Sequence, residues 1–486
     1  MIDSPLLPEI KGYIAGEWAA SDDAATFQVT NPADGELLAE VPAMGPGETG
    51  RAVAAAEAAL GDGAPERAQR RRWLEAIDAL LREHREELGR ILTLEHGKPH
   101  AEGVGEVLYA AGFFAHAARE IDALAPRTLE AQPRGCTWTV YHRPAGPVAL
   151  ITPWNFPIGM IAKKLSAALA AGAPAVLKPS AKTPLTQIAL LTLLHRGLDL
   201  PPGTVNLVTG AAGPIGDALL HDPRVRVLSF TGSTSVGQAL IRGSAEDVKR
   251  LTLELGGNAP FLVFADADLD HAADQLIANK FRGGGQTCVC ANRILVEAPV
   301  AEAFAQRVAE RAGRLRTGDG MAEGVDLGPL IDRSGYEKVR RHYLDAVEKG
   351  AATLLGGDPG PLGQDYGAFF PPTVVHGATP EMACWREETF GPLVPITAFG
   401  DEAQALSLAN DSELGLAAYM FTGDAARAER LIPRLAFPHV GWNTGSGPTP
   451  EAPFGGTKRS GYGREGGLEG LFEFVETQTV PQGQPG

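Results

Sequence analysis

From residue 146 onward, short apolar runs alternate with segments of helix length, and this rhythm leaves few folds open. Residues 148–151 read as a buried strand, 158–171 as a helix and 175–178 as the next strand. Thr183 is placed to cap a helix with Pro184 in its first turn, and Gly197 with Pro201 stops it. The alternation runs on through 205–208, 214–220, 225–230 and 233–242 and closes with 251–255. Strands joined by crossover helices lie parallel, which predicts a doubly wound sheet with helices on both faces, the usual architecture for dinucleotide binding. A second block follows, with strand 261–264, helix 268–281 and strand 294–297, and continues to about residue 440. Two α/β domains in series are therefore expected.

Ahead of these blocks, 48–125 reads as helical, with 48–60 and 70–94 carrying apolar residues at three- and four-residue spacing until Pro99 and several glycines intervene. Two stretches outside both blocks, 137–142 and 472–480, alternate like strands. Two isolated strands are not stable alone, so they are expected to pair together or with another subunit.

Composition narrows the functional classes. The formal net charge of −16 argues against nucleic-acid binding, which needs clustered Lys and Arg, and it requires any anionic substrate to be captured by local cations. Four cysteines (136, 288, 290 and 384) in 486 residues make no disulfide framework and point to a reducing compartment. Residues 1–12 lack a signal-peptide pattern, and the longest apolar stretch, 165–177, contains Pro174 and is too short to span a bilayer. A cytoplasmic protein without membrane contact is the expectation.

Four constellations could carry chemistry. Asn155, in Pro-Trp-Asn-Phe-Pro (153–157), follows a strand end, where ligands bind in open α/β sheets; its amide could donate to an oxyanion or simply form an Asx turn. Lys178 and Ser180 lie at another strand end and could hold ribose or phosphate groups, or form a solvated turn. Residues 230–237 combine a strand, a small-residue turn and a helix start whose N–H groups suit a pyrophosphate, although the chain has no G-x-G-x-x-G or Walker A motif. Cys288, in the glycine-rich loop 281–290, and Glu254, in Leu-Glu-Leu-Gly-Gly (253–257), suggest a nucleophile and a base, the Cys288 N–H being a second oxyanion donor; a buried structural thiol is the alternative. Glu95, His96 and His100 are close in sequence, but Gly97 and Pro99 break any helix that would align them, so no structural or catalytic metal is expected.

In this order, the motifs closely resemble the aldehyde dehydrogenase superfamily: Thr30-Asn31-Pro32, Trp-Asn-Phe-Pro, Lys178, Phe-Thr-Gly-Ser-Thr, Glu254-Leu-Gly-Gly, Gly-Gln-Thr-Cys288, Glu387-Glu388-Thr389-Phe390-Gly391-Pro392 and Pro453-Phe454-Gly455-Gly456. The resemblance covers nearly the whole chain. It implies a dinucleotide-binding domain of 1–124 and 146–254, a catalytic domain of 255–445, and bridging or oligomerisation segments at 125–145 and 446–486, assembled as a homo-oligomer (dimer or tetramer). By resemblance, Cys288 attacks the aldehyde, Asn155 holds the oxyanion, and Glu254 activates the water that hydrolyses the thioester. Retention of Glu254 implies release of a carboxylic acid rather than transfer to coenzyme A. The cofactor-binding residues implied are Thr152, Trp154, Lys178, Ser180, Ala181 and Gly213 on one part of the chain. Phe230, Gly232, Ser233, Leu255, Glu388 and Phe390 complete that set.

Members that prefer NAD often carry a glutamate three residues after the lysine. Here Ala181 stands there, followed by Lys182, which implies that NADP is accepted alongside or in preference to NAD. The stretch Gly-Gln-Thr-Cys-Val-Cys-Ala-Asn-Arg is most similar to the succinate-semialdehyde dehydrogenase group, in which an arginine six residues before the nucleophile binds the substrate carboxylate; Arg282 occupies that place. Lys163 stands where a second arginine is expected, and Pro448 with Thr449 where a serine is expected before Phe454, so glutarate and 2-oxoglutarate semialdehydes stay open beside succinate semialdehyde. Cys290 implies a reversible Cys288–Cys290 disulfide, or else a packed thiol. A thiol esterase and a catalytically idle relative are the competing readings.

Overall fold

The strand 148–151, four apolar residues long, explains why the first sheet has two hydrophobic faces. Successive side chains point to opposite sides of a strand: Val148 and Leu150 enter one core and Ala149 the other. Both faces therefore need helical cover. The protein was analysed as a computed structural model that describes residues 1–61, 63–132 and 135–483.

Five parallel strands form the centre of the first sheet, in the order Val205–Leu207, Ala175–Lys178, Val148–Ile151, Val227–Thr231 and Arg250–Glu254. Counted along the chain, that order is 3-2-1-4-5. The direction of winding reverses between Val148–Ile151 and Val227–Thr231, and a crevice opens beyond the carboxyl ends of those two strands. Antiparallel strands close both edges: Gly12–Ile14 and Glu17–Ala19 on one side, Gly461–Tyr462 on the other. The second sheet has seven strands, Ala259–Val263 and Ala291–Glu297 near its centre, and is parallel except where Ala352–Leu355 joins its edge. Both doubly wound blocks expected from the sequence are thus present.

The helices are α1 (Pro46–Leu60), α2 (Arg67–Glu83), α3 (Arg85–His96), α4 (His100–Glu120), α5 (Pro157–Ala171), α6 (Leu185–Gly197), α7 (Ala212–His221), α8 (Thr234–Ser244) and α9 (Leu269–Lys280), with further helices in the second block. The segment 70–94, read as one helix, is broken at His84. No glycine or proline marks the break. Packing makes it, because α2 lies on α4 and α5 whereas α3 lies on α4 and α6. Thr183 does not cap α6; its hydroxyl donates to the Trp154 carbonyl at 3.2 Å. The cap comes from Glu95, ninety residues away in the chain, whose carboxylate accepts from the N–H groups of Leu185 (2.7 Å) and Thr186 (2.9 Å). A carboxyl group at a helix N-terminus satisfies orphan donors, and burial pushes this one up to about 8.

Thr137–Pro144 and Val475–Gln482 pair antiparallel along their whole length, with Arg127–Thr128 as a third strand. The remainder of the C-terminal segment behaves differently. Gly461–Tyr462 pairs with Leu253 and Glu254 at the edge of the first sheet, and Thr457–Lys458 pairs with Leu414–Gly415. Residues 446–474 thus run along the junction of the two sheets rather than in the three-stranded one. Among the described residues, no helix is long and apolar enough to cross a membrane.

Candidate active site

The crevice at the winding reversal is a groove of about 440 Å³ lined by Trp154, Asn155, Thr231, Gly232, Ser233, Leu255, Glu388 and Phe390. It ends at Cys288. A second cavity of about 300 Å³, lined by Tyr109, Phe156, Lys163, Arg282, Val289 and Phe454, reaches Cys288 from the other side. Cys288 and Met160 form part of the wall of both. The thiol therefore sits between two chemically different chambers.

The loop that presents it is shaped by consecutive glycines. Gly283, Gly284 and Gly285 have φ of 59°, 66° and 77°, the left-handed region that side chains avoid. A Cβ on Gly285 would also stand 2.4 Å from the Gly391 carbonyl oxygen. Gln286 then fastens the loop: its side-chain amide donates to Gly283 O at 3.0 Å, its Oε1 accepts from Ile331 N at 2.9 Å, and its main-chain carbonyl accepts from Asn155 Nδ2 at 2.9 Å. Burial pushes the Cys288 thiol up to about 12, with Lys163 acting against the rise.

Glu254 ends the strand Arg250–Glu254 with its side chain buried, its Oε1 without a hydrogen-bond partner. Burial, then the neighbouring Glu465, pushes its carboxyl up to about 8, while Lys163 and Lys164 pull the other way. A group poised near neutrality is suited to taking a proton.

On the groove side, Glu388 is half-buried, accepts from Gly257 N at 3.0 Å, and is raised to about 7 by burial. Phe390, at φ 60°, meets the Trp154 ring edge-on at 5.6 Å. Ser233 caps α8, and the buried Thr231 hydroxyl has no partner among the described residues. An open groove, a helix N-terminus and an unsatisfied hydroxyl at its mouth fit a dinucleotide. Lys178 is buried, donates to Pro179 O (2.8 Å) and Gly210 O (3.0 Å), and is lowered to about 8 by burial. Behind these, Thr152 Oγ1 accepts from Gln187 at 2.7 Å, Phe230 packs in the core under Gly232, Ser180 Oγ accepts from Lys182 N, and Ala181 is half-buried. Gly213 lies in the first turn of α7 with open space beside it. Lys182 is ion-paired with Asp332 and stands over Trp154, so its charge is already shared.

On the other side, Arg282 lies 5.2 Å over the Phe156 ring and makes no ion pair among the described residues. Burial opposes the charge on Lys163, but Tyr109, Glu465, Glu254 and Cys288 around it raise its proton affinity. Its Nζ is 4.9 Å from the centre of the Phe454 ring. Thr449 is exposed with its hydroxyl bonded to Glu451, and Pro448 lines the cavity. Cys288, Cys290 and Cys384 are free thiols, and Cys290 donates to Gly285 O at 3.3 Å with Lys280 Nζ 3.9 Å away. Among the described residues no cluster of His, Cys, Asp or Glu could hold a metal; Glu95 caps α6, and His96 packs on Trp154 at 5.6 Å. Lys98, Glu106, Tyr109 and Glu465 escaped sequence reasoning, since none of the motifs above marks them and only distant neighbours give them a task; Gln286 lies within the Gly-Gln-Thr-Cys288 motif, but its part in fastening the loop is not legible there.

This arrangement of two parallel-sheet units about a shared thiol belongs to a known class. The chain matches the aldehyde dehydrogenase family over residues 18–480, and it belongs to that family. It is 45% identical over 471 residues to the glutarate-semialdehyde dehydrogenase of Pseudomonas putida, covering 96% of each chain. It is 45% identical, with the same coverage, to the succinate-semialdehyde dehydrogenase (NADP(+)) GabD of Escherichia coli. Among solved structures it is similar to an oxidoreductase from Marinobacter aquaeolei, at 58% identity and a TM-score of 0.97, covering 99% of this chain and 100% of that one.

The raised thiol leads to a direct expectation. Alkylation of Cys288 by iodoacetamide should accelerate about tenfold per pH unit from pH 7 to 9, because only the thiolate reacts. A rate that levels off within that range would mean that a nearby charge already holds the thiolate.

Proposed function

We propose that the protein is an NAD(P)-dependent aldehyde dehydrogenase that oxidises an aldehyde bearing a distal carboxylate, succinate semialdehyde or its one-methylene homologue glutarate semialdehyde, to the corresponding acid. The observation that carries this reading is that Cys288 lines both chambers, one fit for a dinucleotide and the other holding an arginine without an ion pair.

The carboxylate of the substrate pairs with Arg282, whose planar fork suits bidentate contact, while Lys163 adds a second positive charge deeper in the cavity. The aldehyde carbon then meets the Cys288 Sγ. The ionised form of Glu254 takes the Cys288 thiol proton and passes it to solvent, and the sulfur adds to the aldehyde carbon to give a thiohemiacetal whose oxyanion accepts from the Asn155 amide and the Cys288 N–H. A nicotinamide dinucleotide in the groove would supply the hydride acceptor; Lys178 and Glu388 would hold its riboses and the turn at Ser233 its phosphates. Departure of the aldehydic hydrogen with its electron pair leaves the acyl group on Cys288 as a thioester. Glu254 takes a proton from water, the hydroxyl adds to the thioester carbon, and the thiolate leaves with release of the acid.

One methylene changes discrimination by only about 10- to 200-fold, so a single cavity of this kind accommodates both semialdehydes. The relatives named for glutarate and succinate semialdehydes, at equal identity, support the same breadth. For the cofactor, Ala181 offers no carboxylate to repel a 2′-phosphate, and Lys182 contributes less than a free cation because Asp332 shares it. NADP is therefore accepted.

Three measurements check this reading. Arg282→Ala should lower kcat/KM for succinate semialdehyde by about 10- to 150-fold, the worth of a charge-assisted hydrogen bond, and for an uncharged aldehyde such as butyraldehyde by under about threefold; equal losses on both would remove Arg282 from carboxylate recognition. Because the Glu254 carboxyl is raised, its base form grows as pH rises, so thioester hydrolysis in single turnovers should increase from pH 6, reach half its maximum near pH 8 and level above about pH 9. Glu254→Gln should abolish that inflection and slow hydrolysis by about 10²- to 10⁴-fold. With saturating aldehyde, kcat/KM for NADP should lie within about tenfold of that for NAD or exceed it; a preference for NAD by orders of magnitude would contradict the cofactor reading.

A further inference from the structure

Lys98 and Glu106 form a buried ion pair beside the aldehyde-side cavity, and the chemistry above gives it no task. Lys98 Nζ is 2.7 Å from Glu106 Oε2, and each side chain is 1% exposed. As a stabilising device such a pair is poor, since desolvating two charges offsets most of their attraction. Its contacts are more informative. Lys98 Nζ also donates to the main-chain carbonyl of Asn155 at 2.8 Å and stands 4.1 Å over the Phe156 ring. The second oxygen of Glu106 accepts from Ile158 N at 3.1 Å and Gly159 N at 3.0 Å. Between them the two side chains hold the turn 155–159 from its carbonyl side and from its amide side; Pro157, within it, has no N–H to offer.

We infer that Lys98 and Glu106 are positioning residues for the oxyanion site, acting through Asn155. The inference rests on the reading of Asn155 as oxyanion donor. Asn155 Nδ2 has two hydrogens in one plane, and one is committed to Gln286 O at 2.9 Å. With the main chain pinned by Lys98 and the first hydrogen pinned by the cysteine loop, the direction of the second is determined. It is the one left for the substrate oxygen. Misplacing a reacting group by about 1 Å costs on the order of a hundredfold in rate, so a side chain that never touches substrate can still control the first chemical step.

A double-mutant cycle tests this. The double replacement Lys98→Met with Glu106→Gln removes both charges and so avoids leaving one buried alone. It is made in the wild-type chain and in Asn155→Ala, and the first-turnover rate of nicotinamide reduction is followed by absorbance. In the wild-type background the rate should fall about a hundredfold while the dissociation constant for NADP, from fluorescence titration, changes less than about threefold. In Asn155→Ala the same replacement should cost less than about threefold. Equal losses in both backgrounds would overturn the inference, because the pair would then act independently of Asn155. If Asn155→Ala by itself left the rate intact, the oxyanion reading would fall and take the inference with it. Should the double replacement not fold, Lys98→Arg, which keeps a positive charge opposite Glu106 but displaces the donor to the Asn155 carbonyl, carries the same cycle.

Discussion

The chain passes Gly257 so close to Cys288 that a Cβ on this glycine would stand 2.1 Å from the Cys288 carbonyl oxygen, and the site depends on that approach. Gly257 belongs to the stretch that follows Glu254 out of the first sheet; Cys288 belongs to the loop that enters the second. Their contact brings an acid from one unit and a thiol from the other to a single centre. The hydrogen bond from Asn155 Nδ2 to Gln286 O repeats the coupling a few residues away, and Glu388 Oε1 on Gly257 N repeats it again. Neither sheet contains a site alone. The winding reversal of the first sheet supplies the groove, and the second sheet supplies the wall against which the groove ends.

Electrostatics in this centre run against the character of the whole molecule. The chain is strongly acidic, yet the chamber on the far side of Cys288 gathers Lys163 and Arg282. Burial keeps the resting groups uncharged or poised: the thiol is pushed up to about 12, Glu254 to about 8 and Glu388 to about 7. Groups held near neutrality in a dry pocket respond strongly to a ligand that brings charge or excludes water, because interactions there are screened little. Lys163 is the exception, kept charged by the acids around it.

Local patterns were readable where local physics governs. The strands Val148–Ile151 and Ala175–Lys178 lie where short apolar runs put them, since a parallel strand buried on both faces is apolar along most of its length; only Lys178, at a carboxyl end, departs from this. Asp268 and Ser233 were legible as helix starts because a cap acts on residues two or three away. The break at His84 was not, for it answers to different neighbours on either side. Nor was the cap of α6, where Thr183 had the right chemistry and the adjacent position but Glu95 arrives from α3 and takes the donors. Nor were the tertiary partners of Thr449 and Lys182 legible: each has the side chain its expected role requires, and each is also engaged by an acid elsewhere, Glu451 and Asp332 respectively.

The sequence by itself determined the two α/β blocks, the glycine loop around Cys288, and the ordered motifs that place the chain among aldehyde dehydrogenases, because periodicity and short motifs are properties of neighbouring residues. The tertiary structure alone decided which charges are free to act. Among the described residues Arg282 lacks an ion pair and Lys182 has one; Lys98 meets Glu106 and the Asn155 carbonyl; Glu254 is buried against Glu465. Proton affinity and availability depend on distance and burial across segments up to hundreds of residues apart, and no local pattern encodes that distance.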